Sequence, residues 1–326
     1  MTHARLPLAL DGAGLVLPEG RIAVFGPNAL TDLSVLPCDR VQVVTGFKPD
    51  YDALQAQGYD CVTEATGDFD AALVFLPRAK ALAQARIEIA ARLARLVIVD
   101  GQKTDGVDSI WKACRQRADI LGGMSKGHGR LFWFQNGDFA DWAAPESQTI
   151  DGGFLTRPGV FSADGIDPAS RLLAASLPEK LGKHVADLGA GWGYLSSAVL
   201  TRPGVETLHL VEADHDALSC ARTNIGDPRA SFHWADGTAW TAPQLLDAVV
   251  MNPPFHTSRA AEPALGRAFI ANAARNLAPS GKLWMVSNRH LPYEAELEAR
   301  FGKVEEIGGD SRFKLHLAQR PTRTRR

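Results

Sequence analysis

Short apolar runs that end in glycine or proline alternate with stretches of helical periodicity along the whole chain. In the first half the runs are RIAVFG, VQVVTG, FDAALVFLP and RLVIVDG, and residues 80–95 repeat leucine and isoleucine at helical spacing. In the second half they are HVADLG, ETLHLVEAD, ASFHWAD, LDAVVMNPPF and GKLWMVSN, followed by the hairpin-like EEIGGDSRFKLHLAQR. Near-continuous apolar strands are typical of parallel sheets buried on both faces. The pattern predicts an α/β fold in which each mostly parallel sheet carries helices on both faces.

The two halves of the chain resemble each other. The segment FDAALVFLPR (69–78) aligns with LDAVVMNPPF (246–255), and in both halves a helix and an apolar strand follow. Residues 143–167 are rich in Gly, Pro, Ser and Asp and lack helical periodicity, which is typical of a domain boundary. We therefore expect two tandem Rossmann-like domains, residues 1–148 and 149–326.

A glycine-rich, basic segment, GGMSKGHGR (122–130), is predicted to be a mobile loop, and LFWFQ after it a strand. Several basic residues are candidate phosphate contacts: Lys126, His128, Arg130, Arg320, Arg323, Arg325 and Arg326. Solvated loops explain such charges equally well.

Composition and charge exclude several classes of protein. The 326 residues include 35 Lys+Arg and 37 Asp+Glu, a net charge of −2, and 45% are hydrophobic. No run approaches the length of about 18 apolar residues that a membrane span requires, and the start MTHARLPLAL is too short for a secretory signal. We expect a cytoplasmic protein that neither enters membranes nor coats nucleic acid non-specifically. The net charge does not exclude a local basic groove.

The four cysteines are far apart and form no C-x-x-C pair, and the nine histidines contain no H-E-x-x-H. We expect no metal site and four buried free thiols, at Cys38, Cys61, Cys114 and Cys220.

The first candidate site is the segment DLGAGWG (187–193), where the strand HVADLG ends. Gly189, Gly191 and Gly193 let the backbone turn close to a ligand, and free N–H groups at the following helix can face an oxygen-rich group. The order G-x-G-x-G differs from the G-x-G-x-x-G of dinucleotide folds. The preceding Asp187 would repel a pyrophosphate but attract a cofactor with a cationic amino-acid tail. This favours S-adenosylmethionine as the ligand. The alternative is that the glycines only tighten the turn between the strand and the helix and bind nothing.

Two further carboxylates follow the next two strands. Glu212 ends ETLHLVEAD, where a carboxylate can accept both hydroxyls of a ribose, as in dinucleotide sites; Asp214 is close enough to be confused with it. Asp236 follows SFHW and is predicted to accept the adenine amino proton. Taken singly, either is explained by a solvated strand end or a turn-forming Asp-Gly. Their order after the glycine turn predicts cofactor binding.

The motif Asn252-Pro253-Pro254-Phe255 is the most specific of the set. It follows the apolar DAVVM, at the carboxyl end of a strand, where open α/β sheets place their sites. The prolines make the backbone rigid and leave nearby carbonyls free to accept. The side-chain oxygen of Asn252 and the carbonyl of Pro253 can accept both hydrogens of an exocyclic amine, while Phe255 offers a stacking face. No strong base is required, so catalysis would rest on orientation and charge stabilisation; the alternative is a rigid turn with a core phenylalanine.

At these motifs the chain resembles the class I S-adenosylmethionine-dependent methyltransferases, and within them the bacterial ribosomal RNA guanine-N2 methyltransferases of the small-subunit type. RPGVFSADGIDPASRLL (157–173) is similar to the signature ahead of that family's catalytic domain, NPPFH (252–256) to its amine-binding loop and residues 287–302 to its closing segment. LPRAKALAQARIEIA and VDGQKTDGV resemble the family's non-catalytic duplicate domain.

The resemblance implies that the N-terminal domain has lost cofactor binding and serves RNA recognition and folding. Phe75 in place of Asn252, and Gly-Pro-Asn at 26–28, agree with this. Ala190 stands where the family usually carries a cysteine, and Thr257-Ser258 where it has a glycine-rich segment. The resemblance also implies a role for each site residue. Asp187, Gly189 and Gly191 would contact the methionine part of the cofactor, Glu212 its ribose and Asp236 its adenine. Residues 252–255 would hold the guanine.

The sequence thus predicts methyl transfer from S-adenosylmethionine to the N2 amine of a guanine in 16S ribosomal RNA, presented unpaired or flipped. Rival substrates are a large-subunit guanine, adenine N6 in DNA and a release-factor glutamine, because N-P-P-[FY] serves each of these planar amines. A rival class is a non-enzymatic RNA-binding assembly protein. The target nucleotide and the oligomeric state are not encoded in any of these motifs.

Overall fold

The chain divides into two compact units, residues 1–146 and 147–326. The computed structural model describes residues 5–254 and 263–322. Within those residues, no helix has the length and apolar character needed to cross a membrane.

The first unit is built on a seven-stranded sheet in the order β3-β2-β1-β4-β5-β7-β6. Strands β1 to β5 pair in parallel, and β7 pairs antiparallel with β5 and β6. The strands are β1 (Ile22–Phe25), β2 (Val41–Val44), β3 (Asp60–Val62), β4 (Phe69–Phe75), β5 (Ala94–Gln102), β6 (Asp119–Lys126) and β7 (Gly129–Gln135). The helices are α1 (Arg5–Gly12), α2 (Lys48–Ala56), α3 (Lys80–Leu93) and α4 (Val107–Cys114).

The second unit opens with a small antiparallel pair, β8 (Gln148–Thr149) and β9 (Leu155–Thr156). Its main sheet has seven strands in the order β12-β11-β10-β13-β14-β16-β15. These strands are β10 (His184–Leu188), β11 (Thr207–Glu212), β12 (Ala230–Trp234), β13 (Leu246–Met251), β14 (Leu277–Asn288), β15 (Phe301–Gly309) and β16 (Phe313–Pro321). The helices are α5 (Pro168–Ser176), α6 (Tyr194–Leu200), α7 (His215–Asn224), α8 (Pro263–Asn276) and α9 (Glu294–Arg300).

The two main sheets have the same strand order, and the central strands of each pair in the same register. Ile22 of β1 pairs with Ala71 of β4, and Val185 of β10 pairs with Ala248 of β13. β1 therefore corresponds to β10 and β4 to β13, which is the alignment that the sequence suggests. The predicted α/β class with two tandem Rossmann-like folds is confirmed, as is the C-terminal hairpin, which forms β15 and β16.

Apolar residues of the central strands pack into cores on both faces of each sheet. In the second unit Val185 packs with Leu173 of α5 on one face, and its neighbour Ala186 packs with Ile270 of α8 on the other. A strand covered on both sides has no face for polar residues, which explains the near-continuous apolar runs.

The expectation of a mobile loop at residues 122–130 is wrong. These residues belong to the β6–β7 hairpin, whose turn is formed by Gly127 and His128 with φ of 58° and 56°. A Cβ at Gly122 would lie 2.3 Å from Cζ2 of Trp133. Glycine is present here because an indole ring packs against the strand, rather than for flexibility.

The cysteine prediction holds at three of four positions. Cys61, Cys114 and Cys220 are free and buried, but Cys38 is exposed at the start of a single 3-10 turn, so that part of the prediction is wrong. In the described ranges no cluster of three His, Cys, Asp or Glu side chains could hold a metal ion.

A buried ion pair ties α1 to β5. Arg5 Nε donates to Asp100 Oδ1 at 2.6 Å, and the two side chains are only 3% and 1% exposed. Arg5→Ala removes the cation that compensates this buried carboxylate, so we expect the free energy of unfolding in urea to fall by about 3–5 kcal/mol. Arg92→Ala, which breaks the pair of an exposed arginine with Glu88, should leave it nearly unchanged. Equal losses for the two variants would contradict the importance of burial.

Candidate functional site

Three glycines form the turn between β10 and α6. Gly189, Gly191 and Gly193 have φ of 77°, 55° and 96°, a region that residues with a Cβ rarely adopt. A Cβ at Gly193 would also lie 3.1 Å from Cγ1 of Ile225. A Cβ at Gly191 would meet no described atom within 4 Å. The turn therefore requires glycine for its conformation, and at Gly191 it borders open space.

Asp187 is a fully buried carboxyl group beneath this turn. Its exposure is 0%, and Oδ2 accepts a hydrogen bond from Oγ of Ser196 at 2.7 Å. Oδ1 has no hydrogen-bond partner among the described residues. Burial raises the pKa of Asp187 to about 7; the Ser196 bond opposes this shift and the nearby charge of Glu212 adds to it. A buried carboxyl with one unsatisfied oxygen favours a cationic or hydrogen-bond-donating ligand.

Glu212 lies at the end of β11 and is tied to the glycine turn. Its Oε2 accepts from the backbone N–H of Gly191 and its Oε1 from that of Asp214, both at 2.8 Å. Its side chain keeps some accessible surface, but the surrounding protein removes most of the water that would stabilise its charge. This desolvation raises the pKa of Glu212 to about 7, against the effect of the two backbone bonds. Contact with a ribose stays a prediction.

Asp236 follows β12 and forms a local turn. Its Oδ1 accepts from both the backbone N–H and the Oγ1 of Thr238, at 2.7 Å each, so the turn-forming interpretation describes its geometry. The loop after it is held by α8, because Asn272 Nδ2 donates to the carbonyls of Gly237 at 2.8 Å and Trp240 at 3.0 Å. The loop is thus well anchored, and the role of Asp236 toward adenine stays a prediction.

Asn252 is the first residue after β13 and has a defined orientation. Its Nδ2 donates to Asp167 Oδ2 at 3.0 Å and to Ser170 Oγ at 2.9 Å. Its Oδ1 is buried, with no partner in the part of the chain that the structure describes. Pro253 is buried and Pro254 is exposed. The predicted stacking residue Phe255 lies outside the described residues.

A pocket joins the glycine turn to Asn252 of the Asn-Pro-Pro motif. Of the predicted site residues that the structure describes, Gly189, Gly191 and Asn252 line it. The carboxylates Asp187, Glu212 and Asp236 do not, and neither do Gly193, Pro253 and Pro254. Glu212 nevertheless bonds to a lining residue, since it accepts from Gly191. The other lining residues are Phe161, Ser162, Asp167, Ser170, Ala190, Trp192, Tyr194 and Leu195.

Sequence analysis missed six of these residues: Phe161, Ser162, Asp167, Ser170, Tyr194 and Leu195. The first three come from the segment interpreted as a boundary, since it lacks helical or strand periodicity. Asp167 followed by proline is a recognisable helix start, and its side chain caps α5 by accepting from Ser170 N at 2.8 Å. Its second partner is 85 residues further along the chain, at Asn252, and no local pattern indicates that contact.

Residues 148–166, which we call the strap, pack onto the second unit as an ordered segment. The side chain of Asn224 bonds to both the N–H and the carbonyl of Leu155, at 2.8 and 2.9 Å, and to the carbonyl of Trp192 at 2.8 Å. Trp192 Nε1 in turn donates to the carbonyl of Phe161 at 3.0 Å. These bonds hold one wall of the pocket against the glycine turn.

The first unit carries different residues at the equivalent positions. Beside Gly26, which corresponds to Gly189, a Cβ would lie 2.0 Å from Nη1 of Arg86, so that this side chain fills the space. The acidic groups and the amide of the second unit are replaced there. The strand registers equate Val24 with Asp187, Thr45 with Glu212 and Phe75 with Asn252.

The residues of the second unit fit S-adenosylmethionine. The cofactor carries positive charge on its sulfonium and amino groups. These groups are complementary to Asp187 Oδ1, which has no hydrogen-bond partner among the described residues. The open space beside Gly191 allows a ligand to approach the backbone.

Comparisons with known proteins agree with this fit. The methyltransferase small domain family matches residues 151–316. The chain is 31% identical over 278 residues to ribosomal RNA small subunit methyltransferase C of Hahella chejuensis, covering 80% of each chain. It is 37% identical over 160 residues to ribosomal RNA large subunit methyltransferase G of Streptomyces avermitilis, covering 48% of this chain and 42% of the relative. The T. thermophilus 16S rRNA N2 G1207 methyltransferase in complex with AdoMet and guanosine matches with a TM-score of 0.78 and 27% identity, over 94% of this chain and 90% of that one.

The raised pKa of Asp187 predicts pH-dependent stability. The pKa is about 7 in the folded protein against 3.8 for the ordinary group, so the unfolded chain loses this proton at lower pH than the folded chain. The stabilising contribution of the protonated group is complete below about pH 4 and is lost as the pH rises through about 7, a change on the order of 4 kcal/mol. We expect the free energy of unfolding of the ligand-free protein to fall over that range.

Two variants test the assignment of this slope to Asp187. Asp187→Asn stays neutral at every pH, so it should reduce the slope to the part contributed by Glu212, whose pKa is also raised to about 7, and be more stable than the wild type at pH 8. Ser196→Ala removes the bond that favours the ionised form, so the fall in stability should extend to higher pH. Urea denaturation at several pH values measures both, and an unchanged slope in Asp187→Asn would rule out this origin.

Proposed function

Because the chain belongs to the family of ribosomal RNA small subunit methyltransferase C, we propose that it transfers a methyl group from S-adenosylmethionine to the N2 amine of a guanine in 16S ribosomal RNA. The observation that carries this proposal is the pocket that Asn252 shares with Gly189 and Gly191. A donor-binding turn and an amine-binding motif border the same space, as methyl transfer between two bound molecules requires.

In this proposal the glycine turn and three carboxylates hold the cofactor. Asp187 is assigned to the cationic methionine part, because it is a buried carboxyl group with an oxygen to which no described residue donates. Glu212 is assigned to the ribose, which its bond to Gly191 supports by fixing it at the turn. Asp236 is assigned to the adenine, and the anchored loop that follows it supports this role.

The Asn-Pro-Pro motif binds and orients the target amine. S-adenosylmethionine supplies an electrophilic methyl group and leaves as a neutral thioether, so the amine gains the methyl group and releases one proton to water. Asn252 Oδ1, a buried acceptor that no described group occupies, accepts one N–H, and the carbonyl of Pro253 accepts the other. Together they aim the nitrogen lone pair and stabilise the positive charge that develops on it.

The target guanine must be unpaired or flipped out, because its N2 amine otherwise takes part in base pairing. Phe255 is proposed to stack on the base, although it lies outside the described residues. Phe161 lines the same pocket and is 59% exposed, so it offers a second apolar surface.

The small subunit is favoured as the source of the RNA by the extent of the similarity. The small-subunit relative matches over 80% of both chains, whereas the large-subunit relative matches over about half of each. A large-subunit guanine is the second candidate, since the large-subunit relative is 37% identical over its shorter match of 160 residues, against 31% over 278 residues for the small-subunit relative.

We assign the first unit, residues 1–148 in the sequence-based division, to RNA recognition and support of folding. The replacement of Asp187 by Val24 and of Asn252 by Phe75 supports a role without cofactor. Lys126 at the end of β6 and His128 in the turn lie at the tip of the β6–β7 hairpin, and the guanidinium of Arg130 on β7 stacks 3.9 Å over the ring of Trp111.

A direct assay separates the candidate substrates. The protein is incubated with methyl-labelled S-adenosylmethionine and, in parallel, with 16S RNA, assembled small subunits, 23S RNA, duplex DNA and a release factor. We expect label in 16S RNA or small subunits, recovered as N2-methylguanosine by mass spectrometry of nucleosides. Label only in another substrate selects the corresponding rival, and absence of cofactor binding by calorimetry selects a non-enzymatic assembly protein.

Removal of the proposed amine acceptor should stop the reaction but spare cofactor binding. We expect Asn252→Ala to lower kcat by at least about 100-fold, because the amine loses its orientation. The dissociation constant of S-adenosylmethionine, measured by calorimetry, should stay within a few fold. The matched variant Asn136→Ala, in the first unit, should keep wild-type kcat. An active Asn252→Ala enzyme would contradict the role of this residue.

A further inference from the structure

We propose that Asp167 is a positioning residue that, together with Ser170, fixes the side chain of Asn252 with its oxygen directed away from α5 as the acceptor for the target amine. The inference rests on the proposed function, in which Asn252 binds that amine. It concerns a residue that does not itself need to touch the reacting atoms.

The chemistry of the two partners determines which way the amide faces. The oxygen and nitrogen of an asparagine side chain are nearly equal in shape, so only hydrogen bonding distinguishes the two orientations. Asp167 Oδ2 lies 3.0 Å from Asn252 Nδ2, and an ionised carboxylate can only accept. In the reversed orientation the amide oxygen would face this carboxylate, and the NH₂ group would face the donor N–H groups of the target amine.

Ser170 completes the arrangement without determining it. Its Oγ lies 2.9 Å from Asn252 Nδ2, so both hydrogens of the NH₂ group have acceptors. A hydroxyl can donate as well as accept, and it would therefore tolerate either orientation of the amide. The discrimination comes from Asp167.

The position of the Asp167 oxygen is fixed by the helix that it caps. The same Oδ2 accepts from the backbone N–H of Ser170 at 2.8 Å, as the N-cap of α5. Pro168 occupies the first turn of that helix, and Leu173 on α5 is 0% exposed in the core. One oxygen thus serves a structural bond and the orientation of Asn252, so the amide is held by a packed helix and not by a loop alone.

Two substitutions at this position separate orientation from helix capping and from charge. Asp167→Ser keeps an N-cap but replaces the obligate acceptor with a hydroxyl on a shorter side chain. We expect kcat to fall at least about tenfold, because the amide is no longer held in one orientation, with the dissociation constant of S-adenosylmethionine and KM for RNA within about threefold. Asp167→Asn should stay within about threefold of wild-type kcat, because its oxygen can make both bonds and rotation would break the cap. Thermal unfolding checks that both variants are folded.

A readout that does not require activity is the side-chain amide signal of Asn252 in ¹⁵N-asparagine-labelled protein, assigned by its loss in Asn252→Asp. We expect the signal to shift in Asp167→Ser and to stay near its wild-type position in Asp167→Asn. If Asp167→Ser turns over at the wild-type rate, if its Asn252 signal does not move, or if Asp167→Asn loses as much kcat as Asp167→Ser, the positioning role is overturned. If the wild type methylates no guanine while the signals move as expected, the proposed function fails and with it the role toward the target amine, whereas the orientation of the Asn252 amide by Asp167 stands.

Discussion

The hydrogen bonds of the Asn252 side-chain nitrogen connect two segments of the second unit that are distant in the chain. One segment is the end of β13, and the other is the start of α5, to which the strap leads. Asn224 and Trp192 fasten the strap to the rest of the unit at Leu155 and Phe161. The pocket lies between these attachments, so its walls depend on a small set of polar side chains rather than on the sheet alone.

The elements and motifs that sequence analysis identified are those with local signals. The central strands are apolar because both of their faces are buried, and the glycines at 189–193 are required by positive φ. The strap carried no such signal, because it is held by the side chain of Asn224 and not by periodic burial. The hydrogen bond between Asp167 and Asn252 could not be predicted from local sequence either, since only the folded chain brings the two residues together. At residues 122–130, glycines that make room for Trp133 were interpreted as a sign of mobility.

The comparison of the two sheets shows which positions serve folding and which serve chemistry. Strand order and the register of the central strands are the same in both, but Val24 occupies the place of Asp187. Val24 is 0% exposed and contributes apolar burial, whereas burial raises the pKa of Asp187 to about 7 and makes its ionised form unfavourable in the ligand-free protein. Residues that disfavour the empty fold and favour a ligand are typical of active sites, where function is retained at the expense of stability. The first unit has exchanged such groups for ordinary core residues.

The contiguity of each unit in the chain bears on how the protein is made. All seven strands of the first sheet precede residue 147, so this sheet can be completed while the second unit is still being translated. Two sheets of identical order within one polypeptide are otherwise prone to exchange strands, a characteristic misassembly of repeated domains. Emergence from the ribosome in sequence reduces the opportunity for that exchange, because the inner strands of the first sheet are already paired on both sides when the strands of the second sheet appear.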